Sequence, residues 1–368
     1  MATEEKRLET ILFDMHLQSP FILGSGPLCH DANSLIAAHK NGAGAVVTKT
    51  LRANPAINPI PHICSVSKDK TLINAEKWSE LPYQTWVDTE IPKACESGVI
   101  VIASIGHTPE EVQLIAPLVL QAGAKALELV SYDERTMLDM VCKARKLTDR
   151  PILAKLSPNW NAPETLALQL ETKGVSGFTA MDSVGPVLRI DIHTRRPLVE
   201  GENGRGWLSG PAIKPIILHH IAELAFQTNL PIIGLGGIET AEDVIEMTMA
   251  GAQAIGLCSS LMTHGLDYLP LLIRRTLELL DLLGYATLAE IQGVFLSEIQ
   301  KERPSYHFQF TQEKCIGCNL CNLACPYGAQ YTGKSGFSLK KNLCHLCGLC
   351  GSVCPTKALS FLPTGAFL

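Results

Sequence analysis

The chain lacks any run of about 18 uncharged apolar residues, so its sequence offers no membrane-spanning helix. Residues 1–9 are polar and mixed in charge, without the apolar segment an export signal needs, which sets the expectation of a cytoplasmic protein. Basic excess is missing too: 31 Lys and Arg stand against 36 Asp and Glu, a formal net charge of −5. Nucleic acid or an anionic membrane surface would want clustered cations, so neither is an expected partner. No G-x-G-x-x-G followed by a helix and a ribose-binding acid occurs, so no dinucleotide-binding domain is expected. With 46% hydrophobic and 18% charged residues, the sequence shows none of the signature of disorder. Its 368 residues suit a barrel of about 250 residues plus a smaller module, with small molecules and other proteins as partners.

Cysteine, by contrast, is plentiful. Of thirteen, five (Cys29, Cys64, Cys95, Cys142, Cys258) are scattered and eight fall between Cys315 and Cys354. Without an export signal, metal or redox use is preferred to a disulfide scaffold. The eight form two copies of one pattern, Cys315-x₂-Cys318-x₂-Cys321-x₃-Cys325-Pro326 and Cys344-x₂-Cys347-x₂-Cys350-x₃-Cys354-Pro355. Three closely spaced thiolates wrap one cubane, and the fourth cysteine of such a run ligates the other cluster in two-cluster ferredoxins. Cys315, Cys318, Cys321 and Cys354 are therefore expected to hold one [4Fe–4S] cluster, and Cys344, Cys347, Cys350 and Cys325 the second. Structural zinc sites use two C-x-x-C pairs or Cys/His mixtures and do not produce this run twice. Small residues, Gly317, Ala324, Gly348 and Gly351, let backbone N–H groups approach the sulfurs. His345 reads as loop filler. Residues 306–368 resemble a bacterial-type ferredoxin, a small α+β domain that moves single electrons.

Over residues 20–285 short apolar stretches alternate with amphipathic ones, the pattern of repeated βα units around a parallel sheet. Strands are expected at 21–26, 45–50, 99–106, 126–130, 151–158, 177–183, 231–238 and 254–260. Thr108 before Pro109, Glu110 and Glu111 starts one helix, and Thr240 before Glu242 and Asp243 another. Eight units predict an α/β fold, a closed (β/α)8 TIM barrel over 1–305, with its chemistry at the C-terminal strand ends. There Gly236 and Gly237 follow the seventh strand, and Cys258, Ser259 and Ser260 end the eighth. Their N–H groups and hydroxyls suit a phosphate, although a Gly-Gly pair after a strand also serves as a plain tight turn. Lys49 and Lys155 end strands two and five, either as solvated rim lysines or as buried cations suited to the electron-rich edge of a reduced flavin.

Together these residues resemble the dihydroorotate and dihydropyrimidine dehydrogenase family over the whole chain, above all the FMN barrel and C-terminal ferredoxin portion of dihydropyrimidine dehydrogenase. The likeness rests on Ser19-Pro20, Gly24-Ser25-Gly26, Thr48-Lys49-Thr50, Leu72-Ile73-Asn74-Ala75-Glu76, Ile102-Ala103-Ser104-Ile105, Glu128-Leu129 and Ala154-Lys155-Leu156-Ser157-Pro158-Asn159. Thr179-Ala180, Ser209-Gly210-Pro211-Ala212-Ile213, Gly236-Gly237-Ile238 and Cys258-Ser259 follow in the same order. The resemblance implies that Ser25, Lys49, Thr50, Asn74, Lys155, Ser209, Gly210, Gly237 and Ser259 contact FMN, and Gly24, Thr179, Gly236 and Cys258 are expected as cofactor-binding residues with them. Lys155 would face the flavin N1/O2 edge. The implied reaction moves a hydride between flavin N5 and a C=C bond conjugated to a carbonyl, while a side chain handles the companion proton.

One segment departs from the family. Where the family has an Asn-x-Ser-Cys-Pro type segment on a long loop, this chain reads Val130-Ser131-Tyr132-Asp133-Glu134-Arg135 and enters a helix. The proton-donating Cys or Ser is missing, the substrate asparagine has become Val130, and Asp182 stands at the family's second substrate asparagine. Losing a proton donor costs about 10²–10⁴-fold in rate, and unmatched polar groups reject a wrong ligand. The substitutions therefore predict a ligand other than the ordinary dihydropyrimidine, although Asn74 is retained. Replacement acids are Asp182, Tyr132, Asp133 and His107, of which Asp133 also reads as a helix N-cap. Arg205 and His62 are candidate clamps for an anionic substrate.

The leading functional expectation is an FMN- and iron–sulfur-dependent oxidoreductase with Asp182, Tyr132, Lys155 and Asn74 at its reaction centre. By resemblance, its electrons pass to or from a separate FAD- and NAD(P)H-binding subunit or a ferredoxin, in a homodimer or heterotetramer. The alternative is an electron-transfer subunit of a larger complex that has lost its own dihydropyrimidine activity.

Overall fold

The computed structural model describes residues 7–66, 68–302, 305–333 and 336–363. The charged stretch at 1–6 and the last five residues of the expected ferredoxin region lie outside them. The chain divides into two compact units, Met1–Glu298 and Ile299–Leu368. The boundary expected at 305/306 falls within the connection between the helix Val294–Glu298 and the first strand of the second unit, Tyr306–Phe310.

All eight expected barrel strands form: Phe21–Leu23, Ala45–Val47, Val101–Gly106, Ala126–Val130, Ile152–Leu156, Gly177–Ala180, Ile232–Leu235 and Ala254–Leu257. Each pairs in parallel with its sequence neighbours and the eighth closes on the first, Ile255 opposite Phe21. Their Val, Ile, Leu and Ala runs are buried on both faces, as a helix-covered parallel sheet requires. Several expected strands overshoot at the C-terminal end, because residues such as Lys49–Thr50 and Gly236–Gly237 belong to the mouth loops.

Strand periodicity divides the barrel interior into layers. Ile102, Ala126 and Leu153 join Ile22, Val47, Ile233 and Ala254 in an apolar plug, which packs on Leu12, Met15 and Leu17. Those last three lie on a hairpin, Thr10–Leu12 with Met15–Leu17, that the sequence patterning did not reveal. Two residues further along the same strands come Ser104, Glu128 and Lys155, all buried, with Thr179 in register beside Lys155. The barrel thus turns from apolar to polar toward its C-terminal end.

The helices begin where their caps predicted. Thr108 Oγ1 accepts from the Glu111 N–H ahead of Pro109–Gln121, and Thr240 with Asp243 forms a capping box ahead of Ala241–Met249. Asp133 likewise accepts from the Thr136 N–H, capping Glu134–Arg145. The long insertions after strands two and six form a four-stranded antiparallel sheet that sequence patterning also missed. Its order is Val184–Val187, Gly206–Ser209, Leu72–Asn74 and Ile63–Ser65.

In the second unit Tyr306–Phe310 pairs with Leu359–Pro363 and Gln330–Gly333 with Gly336–Leu339, both antiparallel. The short helices Leu320–Ala324 and Leu349–Ser352 complete it, and Phe308, Phe310, Phe337 and Phe361 pack ring to ring. Among the described residues no single helix is long and apolar enough to cross a membrane.

Candidate functional site

The mouth loops and the antiparallel sheet enclose one cavity of about 1380 Å³, counting space open to solvent. It gathers Ser25, Lys49, Thr50, Asn74, Tyr132, Lys155, Asp182, Ser209, Gly210, Gly236, Gly237, Cys258 and Ser259, residues up to 234 positions apart in sequence. Gly24 and Thr179 lie just outside its wall. Gly24 donates its N–H to Leu257 O (2.8 Å), and Thr179 Oγ1 donates to Glu128 Oε2 (2.8 Å) within the polar layer below. Arg205 is exposed and His62 bonds Pro59 O (2.9 Å); neither lines the cavity.

One end of the cavity is shaped by glycine. Gly237 has φ +77° and Gly210 φ +84°, left-handed conformations that disfavour a side chain. A Cβ at Gly237 would stand 2.7 Å from the Lys214 backbone nitrogen, and one at Gly210 3.0 Å from Lys70 O. Backbone is therefore presented to the cavity at close range, with the Ser209 and Ser259 hydroxyl-bearing residues beside it. Backbone N–H groups and hydroxyls of this kind are what a phosphate group takes.

Two lysines line the same cavity, neither on a solvated rim. Lys49 is 2% exposed and its Nζ lies 2.7 Å from both Glu76 Oε1 and Glu80 Oε2. Lys155 Nζ stands 3.3 Å from Asp182 Oδ1. Burial works against the Lys155 charge, but the Asp182 and Glu128 carboxylates outweigh it, and its pKa rises above the ordinary lysine value. Glu128 is pushed up by burial, against the pull of Lys155, and its Oε1 finds no hydrogen-bond partner among the described residues. Burial also pushes the Cys258 thiol up to about 11, so this cysteine is a packed thiol at neutral pH.

Aromatic and polar side chains wall the opening. The His107 ring meets Tyr132 edge-on at 4.4 Å and Trp78 at 6.0 Å, while Trp207 lies 6.3 Å from Tyr132. Burial first, then the Arg52 charge, lowers the His107 pKa to about 4, so its ring is neutral at pH 7. Arg52 lies over Trp78 at 4.3 Å and pairs with Glu111 at 2.9 Å. Asn74 Oδ1 accepts from the Glu76 N–H (3.2 Å). Asn159 ties down the loop after strand six, donating to Ser183 O (2.9 Å) and accepting from Gly185 N (2.7 Å). Sequence reasoning missed Glu80, Trp78, Trp207 and the role of Glu128. For Glu128 a signal existed, a lone charge inside the apolar strand Ala-Leu-Glu-Leu-Val.

In the second unit the sulfurs ring two further cavities. Cys315, Cys318, Cys321 and Cys354 line one, and Cys325, Cys344, Cys347 and Cys350 the other, of about 360 and 280 Å³ counting space open to solvent. Each fourth cysteine thus crosses to the opposite cavity. The loops repeat their backbone as well as their sequence. Positive φ recurs at Gly317 and Leu346, at Asn319 and Gly348, and at Gly328 and Lys357. The Ala329 N–H donates to Cys325 Sγ (3.4 Å) and the Ala358 N–H to Cys354 Sγ (3.3 Å). Four thiols around each cavity, one of them contributed by the other run, are the donor set a cubane takes.

Residues 120–280 match the dihydroorotate dehydrogenase family and residues 314–358 the 4Fe-4S dicluster domain family. The chain is 31% identical over 312 residues to the catalytic subunit of dihydroorotate dehydrogenase B (NAD(+)) from Pyrococcus horikoshii, covering 79% of this chain and 99% of that one. The corresponding subunit of Methanothermobacter thermautotrophicus is 30% identical over 305 residues, covering 78% and 98%. A putative dihydroorotate dehydrogenase A (fumarate) of Solibacter usitatus is 31% identical over 265 residues, covering 68% and 86%. A barrel of this kind implies FMN, and the dicluster domain implies iron–sulfur clusters. The chain belongs to the dihydroorotate dehydrogenase family, as an iron–sulfur oxidoreductase of CH–CH groups with a C-terminal ferredoxin-type domain.

Proposed function

We propose that the chain holds one FMN at the barrel mouth and two [4Fe–4S] clusters in its C-terminal unit, and that it acts on a CH–CH or C=C bond conjugated to a carbonyl. The observation that carries this reading is the single cavity joining a glycine cradle, the buried cation Lys155 and an open wall at Tyr132 and Asp182. FMN, when bound, supplies hydride transfer and converts it to the single electrons that clusters carry. Gly210, Gly236, Gly237, Ser209 and Ser259 would hold its phosphate, and Ser25, Thr50 and Asn74 would complete its seat with Lys49. Lys155 would hold its electron-rich edge. Tyr132 offers an O–H at the wall for the companion proton, and Asp182 positions Lys155 as its carboxylate partner. Cys315, Cys318, Cys321 and Cys354 would ligate one cluster, and Cys325, Cys344, Cys347 and Cys350 the other. A separate FAD- and NAD(P)H-binding subunit or a ferredoxin exchanges electrons with these clusters, in a homodimeric or heterotetrameric assembly.

The substrate differs from an ordinary dihydropyrimidine, because Val130 and Asp182 replace two ring-binding amides. Anaerobic holoprotein mixed with dihydrouracil, dihydrothymine or dihydroorotate tests this. A flavin band unchanged by all three, yet bleached by dithionite, is the expected result; bleaching within seconds by any of them contradicts the altered substrate site. A second reading is favoured by one feature: Ser131, Tyr132 and Asp133 alone link strand four to its helix, which leaves no long lid. On that reading the barrel hands electrons to a partner and turns over no small molecule. A flavin reduced through the partner but unresponsive to any carbonyl-conjugated substrate would establish it.

A further inference from the structure

Glu128 is the one charged residue of the strand Ala126–Val130, 1% exposed and set in the polar layer beneath the cavity. Its Oε2 accepts from Thr179 Oγ1 (2.8 Å), while its Oε1 finds no hydrogen-bond partner among the described residues. Lys155, the cation of that layer, has its ion pair with Asp182 (3.3 Å). A buried carboxylate with one oxygen unmatched is costly to keep charged, so the group is poised to bind a proton. A path for that proton is present. Ser25 and Thr50 line the cavity, their hydroxyl oxygens lie 3.4 Å apart, and Thr50 Oγ1 lies 3.0 Å from Ser104 Oγ. Ser104 is in turn the register partner of Glu128 on the neighbouring strand, so both side chains face the barrel interior.

We infer that Glu128 is a proton store for the barrel: its carboxylate binds one proton when a flavin in the cavity is reduced and releases it when that flavin is reoxidised. This rests on FMN occupying the cavity, as proposed. A hydride delivered to flavin N5 carries two electrons and one proton, and it adds one negative charge to the ring edge that Lys155 would hold. A new negative charge nearby disfavours a second on Glu128. One proton from solvent, entering along Ser25, Thr50 and Ser104, converts the carboxylate to the acid, so the added charge and the added proton balance. When the two electrons leave singly for the clusters, the proton on the flavin and the proton on Glu128 both return to solvent. The titratable groups facing Glu128 are Lys155 from strand five, Asp182 after strand six and the Cys29 thiol after strand one. Burial outweighs the pull of Lys155 and raises the Glu128 pKa, while the Cys29 thiol, raised well above its ordinary value by burial, stays neutral.

The test is a redox titration of the flavin in anaerobic full-length protein at a series of pH values, on the wild type and Glu128→Gln. One extra proton bound per two electrons is a tenfold change in equilibrium constant per pH unit, about 30 mV for a two-electron couple. Where Glu128 titrates, the wild-type potential should therefore fall with rising pH by about 30 mV per unit more than that of Glu128→Gln. Infrared difference spectra of oxidised and reduced protein give a second readout, which the wild type alone can fail if the variant folds poorly. The wild type should gain the carbonyl stretch of a protonated carboxylic acid on reduction, and Glu128→Gln should not. Equal pH dependence in the two proteins, no acid band in the wild type, or an acid band that persists in Glu128→Gln overturns the inference while the flavin is still bound. A purified wild type without a flavin spectrum overturns the FMN reading beneath it, and the inference with it.

Discussion

The two units build their chemistry in opposite ways. In the C-terminal unit the thiols of each cavity come from one short loop and a single crossing cysteine, so sequence spacing alone foretells the arrangement. At the barrel mouth, Ser25 and Ser259 line one cavity from the first and last strands, and Lys49 finds its carboxylates 27 and 31 residues further on. A local site needs only its loop to fold, whereas a distributed site needs the whole barrel in register. Damage should accordingly be contained in the first and spread in the second.

The sharpest break between them comes from Cys347→Ser. Removing one thiolate should abolish the cluster of that cavity, with iron and sulfide falling by about half, while FMN stays bound in the barrel. Loss of the flavin as well would show that the units do not fold independently.

A smaller effect is expected for Gly237→Ala. The alanine must adopt φ +77° with its Cβ 2.7 Å from the Lys214 nitrogen, which costs roughly 1–3 kcal/mol. The cradle should shift, so FMN is lost on ultrafiltration and the barrel melts earlier, with the iron content unchanged. Full FMN retention would refute the phosphate assignment.

His107 supplies an effect that is absent at neutral pH, a pH dependence confined to the barrel. Above its ordinary value of 6.5 the ring is neutral whether folded or unfolded. Between 6.5 and about 4 the unfolded chain takes up a proton that the folded site refuses. Stability should therefore fall as pH drops through that window and level off below it, where both states are protonated. Chemical denaturation of His107→Gln should lose this part of the slope, and an unchanged slope would place the proton elsewhere.

The same contrast explains what the sequence made legible. The eight barrel strands stood out because each is a short, mostly apolar stretch, buried on both faces, and Thr108, Asp133 and Thr240 marked helix starts by side-chain chemistry that acts within three residues. The mouth sheet did not stand out. Its strands, such as Leu72–Asn74 and Gly206–Ser209, are three or four residues long and pair across more than 130 positions. Too short for an alternation to show, they owe their form to tertiary contact. Nothing in the sequence marks Glu76 and Glu80 as partners of Lys49, because only the fold sets them against it. Glu128 was visible as a matched motif residue, but its place beneath Lys155 depends on the inward alternation of strand four.

The central claim, one flavin and two clusters on a single chain, is tested most directly by anaerobic reductive titration of the full-length protein with dithionite, normalised to protein. About four electrons per chain are expected, two for the flavin and one for each cubane; an end point of two, with the flavin fully bleached, would leave no electrons for the clusters.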